Sequence, residues 1–273
     1  MNNEIIKTKK KPHEILRSLF KNIFRLIPFN KEYSRIINNI LSKRLLNDGN
    51  IRDVRPSLIY SLENFRTSDY LISIASEAIK LANKLDLKCG KKNLDDSKFL
   101  NEFPGEHYKI LSSIVKVTDA KKVVEIGTYT GLGTLSIKAG LSSPGKITTY
   151  DIISWKKLSL KSHFIEEDFK DGSIEQILGD LSDDDFFEQN FKILDESDII
   201  FMDAPKDNEF EYKMIKKFLK LKPKIGKLLI MDDIKFINMI DLWRSIKSPK
   251  IDLSSFGHWT GTGVVDISEG LKL

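Results

Sequence analysis

From Lys122 onward, short apolar runs alternate with amphipathic segments. The runs Val123–Ile126, Ile147–Ile152, Ile174–Leu178, Ile199–Met202 and Leu228–Met231 are rich in β-branched residues and nearly free of charge. Runs of that length and composition predict strands covered on both faces. Between them lie segments with helical spacing: Leu132–Ala139, Asp184–Asn190, Phe210–Leu221 and Ile237–Ile246. Strand alternating with helix is the pattern of a parallel sheet with helices on both faces. The tail changes rhythm. Ile251–Phe256 and Gly263–Ile267 flank Gly257-His258-Trp259-Thr260-Gly261 and predict an antiparallel β-hairpin.

Upstream, the periodicity is helical. Ser68–Leu85 places Leu71, Ile74, Ala75, Ala78, Ala82 and Leu85 on one face. Lys88–Ser97 is polar and reads as a loop, and Glu106–Val115 reads as a helix leading into the first strand. Earlier still, His13–Ile27 sets Leu16, Phe20, Ile23, Phe24 and Ile27 against Arg17, Lys21 and Arg25, and Pro28 closes it. A second helix is expected over Lys31–Leu46. The division expected is a basic helical extension over residues 1–60 and an α/β domain over 61–273.

Composition narrows the class. With 41% apolar and 30% charged residues, 273 residues can bury a sizeable core. No run of about 18 apolar residues exists to span a bilayer. The Lys-rich start is not followed by an apolar stretch and small-residue cleavage site, so no secretory signal is expected. One cysteine, Cys89, allows neither an intrachain disulfide nor a cysteine-based zinc site, which suits a cytoplasmic location. The net charge of +5 is uneven: the first 56 residues carry 13 Lys or Arg against five Asp or Glu. A basic amphipathic helix can bind a membrane surface or nucleic acid. Docking on its own domain or on a second copy is the favoured use, and membrane contact the less favoured one. Lys, Ile and Asn are abundant along the whole chain, so the charge alone does not argue for a polyanionic partner.

The candidate chemistry begins at Glu125-Ile126-Gly127-Thr128-Tyr129-Thr130-Gly131-Leu132-Gly133. A strand ending in an acid and a glycine-rich turn lets backbone approach a ligand closely. The glycine order is G-x-x-x-G-x-G, not the dinucleotide order G-x-G-x-x-G, which disfavours a nicotinamide enzyme. The stretch resembles the first motif of class I S-adenosylmethionine (SAM) methyltransferases. That resemblance implies a Rossmann-like, mostly parallel α/β sheet finished by an antiparallel strand. It also implies cofactor contacts. Gly127, Thr128 and Tyr129 would line the methionine end, Gly131 would allow close approach, and Glu125 would set the turn and the amino-acid end. Asp151 would accept from the ribose hydroxyls, as an acid suits two vicinal donors. Asp180 and Leu181, after the third strand, would meet the adenine. A plain tight turn is the competing reading of the glycines taken alone.

Two further strand ends are acidic: Asp203-Ala204-Pro205-Lys206, and Asp232-Asp233. Three carboxylates at one sheet edge repel one another, and a bound cation relieves that. Oxygen donors favour Mg²⁺ or a similar hard ion. The pattern resembles the metal-dependent small-molecule O-methyltransferases of the catechol and caffeoyl-CoA type, which carry D-x-x-K and then D-N. Asp233 stands where that pattern has Asn. The resemblance implies Asp203, Asp232 and Asp233 as metal ligands, with Asp203 also near the cofactor. It implies Lys206 as the proton acceptor, with a pKa depressed by the cation. Helix capping by Asp203 is the bland alternative. His258 is a second candidate base, against a reading in which Trp259 packs and His258 bonds locally. Ser154–Asp171, with Trp155, His163 and Phe164, is a candidate lid. Glu106, His107 and Tyr108 are candidates for passing near the cofactor.

The function expected is methyl transfer to a hydroxyl oxygen of a small molecule. Two alternatives stand beside it: a nucleic-acid methyltransferase using the basic extension, and a non-catalytic SAM-binding protein. Asp-Ala-Pro-Lys departs from the [DN]-P-P-[YF] of base methyltransferases, which makes nucleic acid the less favoured acceptor. A homodimer through the apolar faces of the extension is a further expectation.

Overall fold

A computed structural model describes residues 67–88, 94–102, 105–158, 162–207, 209–236, 239–256, 258 and 260–273. The expected N-terminal helices and the 1–60 extension lie outside these residues, as do Gly257 and Trp259.

The elements run α1 (Asp69–Ala82), α2 (Leu94–Asn101), α3 (His107–Val117), β1 (Lys122–Ile126), α4 (Leu132–Gly140), β2 (Lys146–Asp151), α5 (Trp155–Leu158), β3 (Ile174–Leu178), α6 (Asp184–Glu196), β4 (Ile199–Met202), α7 (Phe210–Phe218), β5 (Leu228–Asp232), α8 (Met239–Ser245), β6 (Lys250–Asp252) and β7 (Thr262–Asp266). Short 3₁₀ turns at Glu166–Phe169 and Ser254–Phe256 complete the set. Seven strands form one sheet in the order β3-β2-β1-β4-β5-β7-β6. β1 to β5 are parallel; β7 runs antiparallel to β5, and β6 antiparallel to β7. This is the expected mostly parallel sheet with an antiparallel hairpin at its end.

The continuous apolar runs explain the two-sided sheet. Side chains alternate faces along a strand. Ile199, Phe201, Leu228 and Ile230 therefore join one core with Leu71, Ile114 and Leu135. Ile200, Met202, Leu229 and Met231 join the other with Phe187, Ile215 and Leu242. All eight residues of β4 and of β5 up to Met231 are at most 1% exposed. At roughly 1.5–3 kcal/mol per buried large apolar side chain, these two strands anchor the loops that follow them.

β1 lies between β2 and β4, so successive connections leave it in opposite directions. That reversal opens a crevice at the carboxyl ends of the strands, where open α/β sheets bind ligands. Among the described residues no helix is long and apolar enough to cross a membrane.

Two boundaries differ from expectation for physical reasons. Leu94–Asn101 is helical although its second half of Lys88–Ser97 reads as loop. Asn101 anchors that helix end, accepting from Leu87 N–H and donating to Leu87 C=O, each at 2.8 Å. The first hairpin strand stops at Asp252, where the Asp252 carboxylate accepts from Ser254 N–H at 2.8 Å and turns the chain into a 3₁₀ turn. Among the described residues of the candidate lid, the aromatic side chains are packed. Phe164 is 2% exposed, and Trp155 stacks on Phe169 at 5.0 Å between centroids.

Candidate functional site

The β1–α4 turn is held by backbone. Gly127 N–H donates to Tyr150 C=O at 2.9 Å, and Asp203 N–H donates to Ile126 C=O at 2.9 Å. Gly127 has φ +103°, and a Cβ there would sit 2.0 Å from Asp203 O. Only glycine combines that dihedral with that approach. Tyr129 follows at φ +41°, in the left-handed region that costs a non-glycine residue energy. Its N–H donates to Asp151 Oδ2 at 2.8 Å, while Ile153 N–H donates to Asp151 Oδ1 at 2.9 Å. Asp151 therefore braces two loops and keeps lone pairs for further donors.

These loops line a cleft of about 640 Å³, within the ~300–1,000 Å³ range of small-molecule sites. Of the expected cofactor residues, Gly127, Tyr129, Asp151, Asp180, Leu181 and Asp203 line it. Three do not. Glu125 is 1% exposed and accepts from Thr149 Oγ1 at 2.6 Å and from Thr134 Oγ1, so it builds the turn from behind. Thr128 is buried, its hydroxyl 2.7 Å from that of Thr149. The space beside Gly131 is filled by the Phe164 ring, 2.5 Å from a Cβ built there, so this glycine admits an aromatic side chain instead of a ligand.

Burial dominates the electrostatics of Glu125. It pushes the carboxyl up to about 8, against the lowering effect of the Thr134 and Thr149 hydroxyls. Glu125 is therefore largely a neutral acid at pH 7.

At the other end of the crevice a polar cluster forms. Lys206 Nζ lies 2.5 Å from Asp203 Oδ1 and 3.4 Å from Asp233 Oδ2, and donates to Ala204 C=O at 3.0 Å. Its backbone N–H donates to Glu211 Oε1 at 2.7 Å. Lys206 and Asp233 both have positive φ, +60° and +58°. Strained backbone of this kind persists where surrounding structure enforces it.

The side chain of His258 comes from the β6–β7 connection. Ile234 N–H donates to Gly261 C=O at 3.0 Å and Lys235 N–H to Thr260 C=O at 2.7 Å, tying that connection to the turn after β5. His258 Nδ1 is then 3.3 Å from Asp232 Oδ1 and 3.6 Å from Asp233 Oδ1. Thr260 Oγ1 donates to Asp233 Oδ1. His107, the first residue of α3, faces His258 with ring centroids 4.1 Å apart. The two histidines and Asp232 put one ligand atom each within 4.8 Å of one another, and so do Asp203, Asp232 and Asp233.

Burial favours the neutral form of Asp203 and raises it to about 6; Lys206 opposes this, and Asp232 and Asp233 add to it. Burial works against the Lys206 ammonium, yet Asp203, Asp232 and Asp233 together raise its pKa. Burial likewise disfavours the His258 imidazolium, and the hydrogen bond and charge of Asp232 overturn that and raise it. Asp232 is held below its usual range: the His258 hydrogen bond and the charges of His107 and Lys206 outweigh burial. A ligand-free lysine poised as a neutral base is thus not what the carboxylates create; they hold Lys206 as an ammonium.

Lys206, His258, Asp232 and Asp233 gather as expected, and Asp203 belongs to both cleft and cluster. His107 as a cluster member, and Thr260, carry no motif that marks them. Their proximity comes from α3 and the β6–β7 connection meeting at the end of β5.

A family profile described as O-methyltransferase matches residues 81–242. The chain is 30% identical over 172 residues to caffeoyl-CoA O-methyltransferase 2 of Petunia hybrida, covering 60% of this chain and 64% of that protein. It is 26% identical over 162 residues to a probable caffeoyl-CoA O-methyltransferase 3 of Dictyostelium discoideum, covering 54% and 57%. The chain thus spans less than two thirds of the length of these curated relatives. Among solved structures, an O-methyltransferase from Bacillus cereus in complex with SAH aligns at 20% identity and TM-score 0.40, over 71% of this chain and 91% of that one. A SAH-bound methyltransferase from Podospora anserina aligns at 15% and 0.44, over 88% and 97%.

Proposed function

The chain belongs to the O-methyltransferase family, and from that membership we propose that it transfers the methyl group of SAM to a hydroxyl oxygen of a small molecule. One observation carries the reading: a ligand-sized cleft and an acid–lysine cluster meet at a shared residue, Asp203. A bound cofactor and an activated acceptor would then lie side by side.

The cleft residues fit SAM. The backbone beside Gly127 can be approached closely, Asp151 accepts from ribose hydroxyls, and Asp180 accepts from the adenine amine. SAM would supply an electrophilic methyl group at the Asp203 end. The three carboxylates also fit a cation, since their oxygens lie within 4.8 Å of one another. A divalent ion held there would neutralise the carboxylate field and favour the ionised form of an acceptor hydroxyl.

Lys206 would take the hydroxyl proton through Nζ once the field that keeps it charged is balanced. Its left-handed backbone and the Glu211 contact fix where that atom points. Positioning of this kind is the main contribution such a site makes. His258, paired with Asp232, would hold that carboxylate in place instead of acting as a free base. The relatives' names suggest an acceptor with vicinal aromatic hydroxyls.

The test is calorimetric SAM binding to the full chain, followed by methyl transfer from labelled SAM to catechol and caffeoyl-CoA, with and without Mg²⁺. SAM binding with label on oxygen supports the reading. No SAM binding to folded protein would sink it.

A further inference from the structure

We propose that His107 and His258 join Asp232 as ligands of the metal, making a mixed nitrogen–oxygen centre that selects a transition-series divalent cation over Mg²⁺. The inference rests on the functional reading above and changes both the ligand set and the ion. Its first support is convergence. The three side chains come from the start of α3, the end of β5 and the β6–β7 connection, and their ligand atoms lie within 4.8 Å of one another. All three are largely buried, His107 at 6% and Asp232 at 5% exposure.

The second support is spacing. His258 Nδ1 lies 3.3 Å from Asp232 Oδ1 and 3.6 Å from Asp233 Oδ1. Two ligands on one tetrahedral ion with bonds of about 2.0–2.1 Å stand about 3.3 Å apart. The imidazoles face each other at 4.1 Å between centroids, 35° from parallel. One nitrogen of each ring and an Asp232 oxygen lie within 4.8 Å of one another.

The third support is the placement of Lys206. Its Nζ sits against Asp203 Oδ1 and 3.4 Å from Asp233 Oδ2. The Lys206 ammonium thus occupies the space between Asp203 and the Oδ2 side of Asp233. Oδ1 of Asp233 and Oδ1 of Asp232 instead face His258 Nδ1. A cation entering there meets two nitrogens and carboxylate oxygen. Imidazole suits Zn²⁺, Fe²⁺, Co²⁺ and Ni²⁺, whereas Mg²⁺ prefers an octahedron of oxygens and keeps its water.

The test uses Co²⁺ as the probe on metal-stripped full-length protein, beside Mg²⁺. Calorimetry gives both affinities, and X-ray absorption of the Co²⁺-loaded wild type reads directly whether imidazole surrounds the ion. The expected result is Co²⁺ binding at least about 100-fold tighter than Mg²⁺, with imidazole scattering in the spectrum. His258→Gln and His107→Gln should each weaken Co²⁺ by about 10–100-fold, and weaken Mg²⁺ by a clearly smaller factor. The spectrum on wild type keeps the question decidable even where a variant folds poorly. Equal affinities without imidazole scattering would overturn the inference and leave the carboxylate site standing. Binding of neither ion would overturn it as well, and SAM binding, measured separately, would decide the enzymatic reading.

Discussion

The cleft and the polar cluster are built by opposite means. The cleft takes its walls from the loops after β1, β2, β3 and β4, and N–H donors at Gly127, Tyr129 and Ile153 hold the first two of them. The cluster takes its side chains from the start of α3, the turns after β4 and β5, the last residue of β5 and the β6–β7 connection, and holds them by charge. A backbone-built site is fixed before a ligand arrives. A charge-built site stays out of balance until something binds: three carboxylates face Lys206 and His258. Recognition should therefore reside in the first and the sensitivity of the chemical step in the second.

The sharpest way to break that division is Lys206→Met. Loss of a positioned proton acceptor costs about 10²–10⁴-fold in rate, so kcat should fall by that order. SAM affinity should stay within about twofold, because Lys206 does not line the cleft. Single-turnover methyl transfer and calorimetry on the same preparation read both. A parallel fall in SAM affinity would mean that cleft and cluster are one energetic unit.

Gly127→Ala is the reciprocal experiment. The added methyl would meet Asp203 O at 2.0 Å in a backbone with φ +103°. The turn must move, and strained positions of this kind cost on the order of 1–3 kcal/mol. SAM affinity should drop by about 100-fold, roughly 2.7 kcal/mol by the usual conversion. The melting temperature should fall with it. Unchanged SAM affinity would show that the cofactor does not use this turn.

The same contrast sets what was legible in the sequence. The cleft could be read because its residues sit at fixed offsets from strand ends, and the strands declare themselves as apolar runs. Glu125, Thr128 and Gly131 carry cofactor expectations yet do not line the cleft, for a related reason. A motif gives proximity to the turn but not the direction of a side chain, and these three face Thr134, Thr149 and Phe164. Asp203, Lys206, Asp232 and Asp233 were legible as strand-end chemistry. His107 was only a neighbour of the site on paper. What brings it against His258 is the packing of α3 beside a late hairpin, which local pattern cannot encode. The α2 helix escaped because its sequence, Leu-Asp-Asp-Ser-Lys-Phe-Leu-Asn, lacks a clear apolar stripe.

The remaining prediction concerns the cost of building the turn from behind. Glu125 is pushed up from 4.5 to about 8, chiefly by burial. Between those values the folded protein binds a proton that the unfolded chain releases. Stability from this group is therefore greatest below about pH 4.5, declines as pH rises, and is lost by about pH 8. At about 1.4 kcal/mol per pKa unit the whole window amounts to a few kcal/mol. The part between pH 6 and 8 is about 2 kcal/mol or more on the same scale. Glu125→Gln keeps the shape and the neutral amide and removes the titration. Urea unfolding at pH 6 and pH 8 should show wild type losing stability relative to the variant as pH rises. SAM affinity should change little in the variant, since Glu125 does not line the cleft. An identical pH slope in both proteins would mean that Glu125 is ionised in the folded state. The turn would then carry a buried negative charge behind the cofactor, and the division between a turn built by backbone and a cluster built by charge would no longer hold.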